Sequence, residues 1–215
     1  FDWAKIPQLV GEFERIERIY YGLEEHAPRE DPGDLRRIYE LSLVSPPPPP
    51  QLHQVPYSHL VTLVQLYPNM DDMLEALYRS GELQRGLDAS YLDCIRSKAR
   101  NARAWVEQYA DENQRIKLLE ELDGATTGQL TEEQRGYLSA LATVLEGTPW
   151  EGGAVQDAVF NTSKEVGLKA RDAFGAIYLC MLGRGRGPRA GFFLASLDRD
   201  WVLARLREAG TERKG

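Results

Sequence analysis

Between Lys169 and Leu182 the apolar side chains fall at positions 170, 173, 174, 177, 178 and 181. That spacing gathers them on one face of an α-helix and is incompatible with the alternation of a half-buried strand. The same period recurs along most of the chain. Leu9, Phe13, Ile16 and Tyr20 repeat at four, three and four in a segment from Gln8 to Tyr21, and Ile95, Ala99, Ala102, Val106 and Tyr109 line one side of a helix from Asp88 to Tyr109. Further helices are predicted from Pro56 to Leu66, from Asp71 to Arg79 with Gly81 as the stop, and from Asp111 to Leu122 after a break. Thr131-Glu-Glu-Gln134 has the form of a capping box opening a helix to Glu146, which Gly147 and Pro149 end. A helix over residues 153–166 stops at Gly167, and Asp198 caps a last one through Glu208. Residues 34–44 suit a helix or a short strand. Paired strands, hairpin signals and internal repeats are all missing, so the fold class is all-α: a helical bundle or cage of two helical subdomains behind a short connector.

Five consecutive prolines, Pro46 to Pro50, forbid helix and sheet and predict a stiff spacer of roughly 3.1 Å per residue. The run also has the form of an SH3-type ligand, but it lacks flanking basic residues and reads better as a linker. The expected organisation is a connector over 1–44, a Pro-rich linker over 45–55, a helical subdomain over 56–147 and a C-terminal helical subdomain over 148–215. The chain starts at Phe1 inside sequence that reads as structured, so it is expected to be a piece of a longer protein.

Charge is distributed unevenly. The chain carries a net −7, yet residues 161–215 hold eleven Lys and Arg against six Asp and Glu. An acidic bulk with a basic tail speaks against gross nucleic-acid binding and for a local anion-binding surface, with chance clustering on a solvated face as the plain alternative. The basic tail contains Gly183-Arg-Gly-Arg-Gly-Pro-Arg189, three arginines, three glycines and a proline in seven residues. Positive charge joined to backbone freedom is what close approach to a phosphate chain requires.

Reactive groups are sparse. His26, His53 and His59 stand apart from one another and, with Cys94 and Cys180, form no metal pattern. The two cysteines fall inside predicted helices, as buried thiols would, and suit a reducing cytoplasm. Asp71, Asp72 and Glu75 read as helix-start charges rather than a carboxylate cluster. Gly183 to Gly187 has neither the lysine nor the preceding strand of a phosphate-binding nucleotide loop. No catalytic site, metal or cofactor is expected in this stretch, and no apolar run is long enough for a membrane span.

Several segments, in order, resemble the C-terminal helical half of the class I lysyl-tRNA synthetases. They are Glu12-Phe-Glu-Arg-Ile-Glu-Arg-Ile-Tyr20, Arg37-Ile-Tyr-Glu-Leu-Ser42, Val55-Pro-Tyr-Ser-His-Leu60, Ala102-Arg-Ala-Trp-Val-Glu-Gln-Tyr-Ala110, and Ser163-Lys-Glu-Val-Gly167 through Gly187-Pro-Arg-Ala-Gly191. The final helix–loop–helix is also similar to the terminal subdomain of bacterial glutamyl-tRNA synthetases, although Tyr-Glu-Leu-Ser and Val-Pro-Tyr belong to the lysyl pattern. The resemblance implies a Rossmann-type catalytic domain elsewhere in the parent, bearing HIGH and KMSKS signatures that do not occur here. It implies that ATP and lysine are handled there, that residues 1–44 lie along the tRNA, and that the helices beyond read the anticodon. The implied partner is a lysine-specific tRNA, bound by a cytoplasmic monomer, with no DNA and no membrane involved.

Proteins read unstacked loop bases with aromatic or Arg planes and polar groups, and hold the backbone with Lys and Arg. Arg184, Arg186 and Arg189 are the first candidates, set against a plain helix–helix turn with Gly183 as its cap. Arg96, Arg100 and Arg103 form a stripe at offsets of zero, four and seven, which a solvated face with an Arg103–Glu107 pair explains equally. Lys164 and Lys169 flank Gly167 within reach of phosphates. Trp105 borders the same stripe and is either a stacking platform or, like Phe192, Phe193 and Trp201, a core side chain. The rival from another class is an all-α interaction module whose basic loop docks an acidic protein.

Overall fold

The computed structural model describes residues 2–47 and 55–211, and among these it contains eleven α-helices and no strand. Of residues 34–44, open between two readings, 34–42 are helical: α2 runs Pro32–Ser42, with Asp31 accepting from the backbone N–H of Asp34 at 2.9 Å. It packs against α1 (Ile6–Tyr20) as a hairpin. Phe13, Tyr20 and Tyr39 meet with ring centroids 4.7–5.4 Å apart, and the buried Tyr39 hydroxyl donates to Glu17 at 3.0 Å. Burial, chiefly, and the Glu17 carboxylate hold that phenol above its ordinary pKa. The turn is clasped by Arg15, which donates two bonds to Glu30 at 2.9 and 2.6 Å. Glu30 also accepts from the backbone of Ala27, and these bonds lower its pKa from 4.5 to about 2.

The hairpin is joined to the rest through Glu14. This buried carboxylate accepts from the Tyr57 backbone N–H at 3.2 and 3.1 Å and from Lys98 Nζ at 3.2 Å. It thereby places negative charge on the N-terminus of α3 (Tyr57–Leu66), where the orphan N–H groups point. α3, α4 (Met70–Arg79) and α5 (Ala89–Tyr109) form the first core around Leu60, Leu63, Met73, Leu77, Ile95 and Ala99. Pro48 to Pro50 of the proline run, with the linker residues that follow to 54, lie outside the described residues.

The chain after α5 departs from expectation. Residues 111–122 were predicted to be a helix, but they turn at Asp111, whose side chain accepts from the N–H groups of Asn113 and Gln114, and then run as an irregular strap. Partners distant in sequence hold it. Gln65 Oε1 accepts from the Ile116 N–H at 2.8 Å and Leu119 N–H donates to Met181 O at 2.9 Å. The Arg205 guanidinium, in a side chain only 5% exposed, donates to the carbonyls of Cys180, Leu119 and Glu120 at 3.3, 3.1 and 2.9 Å.

Beyond the strap lie α6 (Gly124–Thr127), α7 (Glu132–Gly147), α8 (Gly152–Glu165), α9 (Ala170–Leu182), α10 (Ala190–Ser196) and α11 (Arg199–Gly210). The capping box at Thr131 and Gln134 is formed in both directions. α7, α8, α9 and α11 share the second core, which includes Tyr137, Leu141, Val159, Ile177 and Leu206. α7 therefore packs with the C-terminal helices, and the two cores divide ahead of it rather than at the expected 147/148 boundary. Within this core burial pushes the Cys180 thiol up to about 12, as for an inert packing group. α10 lies against α3 and α4 of the first core, and Arg79 and Tyr67 both donate to its Ser196 carbonyl. No described helix is long and apolar enough to cross a membrane.

The hairpin clasp sets a pH dependence. A carboxylate whose folded pKa is depressed contributes stability above its unfolded value, and that contribution disappears as pH falls through the folded one. Urea midpoints of the wild type and Glu30→Gln should differ by a constant amount above pH 5. The difference should shrink from pH 4.5 and be nearly gone by about pH 1, below both pKa values; a gap at pH 2 as large as that above pH 5 excludes the ionic origin.

Candidate nucleic-acid interface

α9 ends at Gly183 in the left-handed conformation (φ 68°), with its N–H donating to Leu179 O at 3.0 Å. Glycine adopts this geometry without the penalty a side chain carries, so the chain turns sharply out of the helix. Two attachments fix the arginine loop that follows. The Tyr178 hydroxyl donates to the Pro188 carbonyl, and Gly187 lies flat on the Tyr178 ring, where a Cβ would come within 2.4 Å of Cδ1. On the other flank Arg184 donates to the carbonyls of Asn113 and Glu112 at 2.8 and 3.4 Å, tying the loop to the strap.

Between these attachments is an open hollow of 650 Å³ lined by Asn113, Arg171, Arg184, Gly185, Arg186 and Gly187. Three guanidinium groups border it and, among the described residues, no carboxylate lines it. Arg171 and Arg186 are exposed and form no ion pair among the described residues. Unpaired guanidinium groups converging on a concave wall, with glycine backbone between them, make a surface that attracts anionic oxygens and lets them approach closely.

The other sequence candidates are scattered. Arg189 is exposed, stacks on Phe192 at 4.2 Å and does not line the hollow. Lys164 sits over the Phe160 ring at 4.2 Å and Lys169 precedes α9; neither lines the hollow. The arginine stripe of α5 is divided among different tasks. Arg96 pairs with Asp93 at 3.2 Å, Arg100 is exposed, and Arg103 donates to the carbonyls of Tyr67 and Pro68, closing the end of α3 rather than meeting Glu107. Trp105 has to be corrected outright as a stacking platform. It is 4% exposed inside the first core and its Nε1 donates to Trp3 O at 2.8 Å, so no ring face is open to a base.

Arg171 and Asn113 escaped the sequence reading. Arg171 had a legible signal: with Gly175 and Tyr178 it stands at offsets of zero, four and seven, the face of α9 that carries the loop. Asn113 had none, since the strap brings it there. Among the described residues no group of His, Cys, Asp and Glu is placed to hold a metal.

Residues 95–210 match the family model described as an anticodon binding domain. The chain belongs to this family. Every residue bordering the hollow falls within the matched span. The chain is also similar to lysine–tRNA ligases over nearly its whole length. That of Thermococcus kodakarensis is 35% identical over 206 residues, covering 94% of this chain and 38% of the relative. That of Pyrococcus horikoshii is 34% identical over 209 residues, covering 95% and 38%. That of Picrophilus torridus is 30% identical over 198 residues, covering 92% and 36%. The chain thus spans little more than a third of these relatives, which bear the lysine name rather than the glutamyl one.

Paired substitutions test the loop's anchoring. Gly187→Ala must displace the Tyr178 ring and should cost about 1–3 kcal/mol, whereas Gly185→Ala, whose Cβ meets nothing within 4 Å, should change stability by less than about 0.5 kcal/mol. Chemical denaturation of both variants checks this, and equal midpoints would show that the loop is not fixed through Tyr178.

Proposed function

We propose that this chain is the anticodon-recognising part of a lysine–tRNA ligase, supplying binding and discrimination while lysine activation with ATP is carried out by another part of the enzyme. The observation that carries the proposal is the carboxylate-free hollow of Arg171, Arg184 and Arg186, inside the span that matches an anticodon binding domain. The bent phosphate backbone of an anticodon loop is the ligand whose charge and curvature suit it. Arg171 and Arg186, which form no ion pair among the described residues, take phosphate oxygens; Arg184 is spent partly on the strap and shapes the wall. Arg189, stacked on Phe192 at the end of the same loop, adds positive charge beside the bases. The working unit is one copy of the chain on one lysine-specific tRNA in the cytoplasm, with neither DNA nor a membrane as partner.

Binding of a lysine anticodon stem–loop, titrated at several salt concentrations, tests this. Releasing counterions from single-stranded phosphates contributes roughly 0.7 to the slope of log affinity against log salt for each contact. Arg171→Ala with Arg186→Ala should therefore weaken binding and flatten the slope by roughly one to one and a half. An unchanged slope removes the hollow from the interface. A wild-type titration that stays flat even at low salt overturns the RNA reading and leaves an acidic protein as the partner for the loop.

A further inference from the structure

The wall of the hollow depends on a carbonyl that belongs to the strap, and one side chain fixes the place of that carbonyl. Gln114 follows Asn113, lines no part of the hollow, and has all four of its polar groups engaged. Its N–H donates to Asp111 Oδ1 at 3.0 Å, and its Oε1 accepts from the Asp111 N–H at 3.1 Å. Its carbonyl accepts from Gln65 Nε2 of α3 at 3.3 Å. Its Nε2 donates at 2.8 Å to the carbonyl of Ala4, 110 positions earlier.

Ala4 is itself held. It lies in a single 3-10 turn, Trp3–Lys5, whose N–H at Ala4 donates to Asp2 Oδ1. Trp105 Nε1 donates to the Trp3 carbonyl from inside the first core, and the Trp3 ring stacks on Tyr109 with centroids 5.0 Å apart and planes 15° from parallel. Gln114 is therefore clamped between the N-terminal turn and α3. The peptide unit joining Asn113 to Gln114 is planar, so its N–H and C=O turn together. Asp111 holds the N–H end, and the C=O end accepts from Arg184 at 2.8 Å. Tying a long side chain to a fixed carbonyl removes its freedom before a ligand arrives, which lowers the entropic cost of binding.

We propose that Gln114 is a positioning residue for RNA: it orients the 113–114 peptide so that Arg184 holds the wall of the hollow at one angle. The Trp3–Lys5 turn, at the opposite end of the chain from the arginine loop, thereby becomes a support of the site. The inference rests on the anticodon-recognition reading and adds to it a residue outside the contact surface that sets affinity. Coupling of this kind is reciprocal, so an occupied hollow steadies the strap by the factor by which the strap favours occupation.

Gln114→Met keeps the length of the side chain and removes its polar end. Titrated with a lysine anticodon stem–loop, it should bind about five- to tenfold more weakly, the effect of losing one net hydrogen bond or two. Its salt slope should match the wild type, because no phosphate contact is removed. In an Arg184→Met background the same change should cost less than about two-fold, whereas in Arg171→Met it should keep its full effect. Thermal unfolding of each variant reports folding separately. In the wild type, amide exchange at Ile116, whose N–H is held by Gln65, should slow by about the same five- to tenfold when the stem–loop saturates the chain. If the Gln114 and Arg184 losses simply multiply, or if exchange at Ile116 ignores the bound stem–loop, this inference falls and the anticodon reading stands. If the wild type binds no stem–loop at low salt, the anticodon reading falls and takes this inference with it.

Discussion

The guanidinium of Arg205, buried in the second core, is the interaction on which the rest of the arrangement depends. It satisfies carbonyls at the end of α9 and along the strap, with the Trp201 ring 4.9 Å away and Glu208 at 3.8 Å as its nearest carboxylate. A cation so enclosed is tolerable only because its hydrogen-bonding capacity is largely used, and an irregular segment is tolerable beside a core only when its backbone groups are paired. Each supplies what the other lacks. With the strap held, the Asn113 carbonyl stands where Arg184 reaches it, and the loop acquires its second anchor.

From that anchor follows a division of labour among charged side chains that identity alone does not disclose. Arg103, Arg184, Arg199 and Arg205 donate to backbone carbonyls and fasten segments together. Arg171 and Arg186 are left over, and being left over is what suits them to an anionic ligand. The same logic separates the aromatic residues. Trp105 and Phe193 are enclosed in cores, whereas Phe192, the third residue of α10, is half-buried beneath the Arg189 guanidinium.

Helices set by local signals were legible beforehand. The Thr131–Gln134 box, the Asp71–Asp72 start of α4, the apolar face of α9 and the stops at Gly81, Gly167 and Gly183 depend on residues within one or two turns of each other. Those three glycines have φ of 71°, 72° and 68°. The strap was misread because Ile116, Leu118 and Leu119 suit a helix on spacing, while Gln65, Met181, Arg184 and Arg205, far away in the chain, give its backbone better partners than its own turns. The loop was legible as a site because its charge and glycines are contiguous. The hollow's full lining was not, since Asn113 arrives with the strap.

By itself the sequence determined the helices, the all-α class, the basic bend after α9 and the resemblance to lysine–tRNA ligases, because each is written in neighbouring residues or in ordered segments of chain. Tertiary structure alone decided which arginines remain unpaired, where the cores divide, and that Gln114 reaches Ala4. Those outcomes turn on distances between residues tens to more than a hundred positions apart, and helical periodicity carries no term for a partner across the fold.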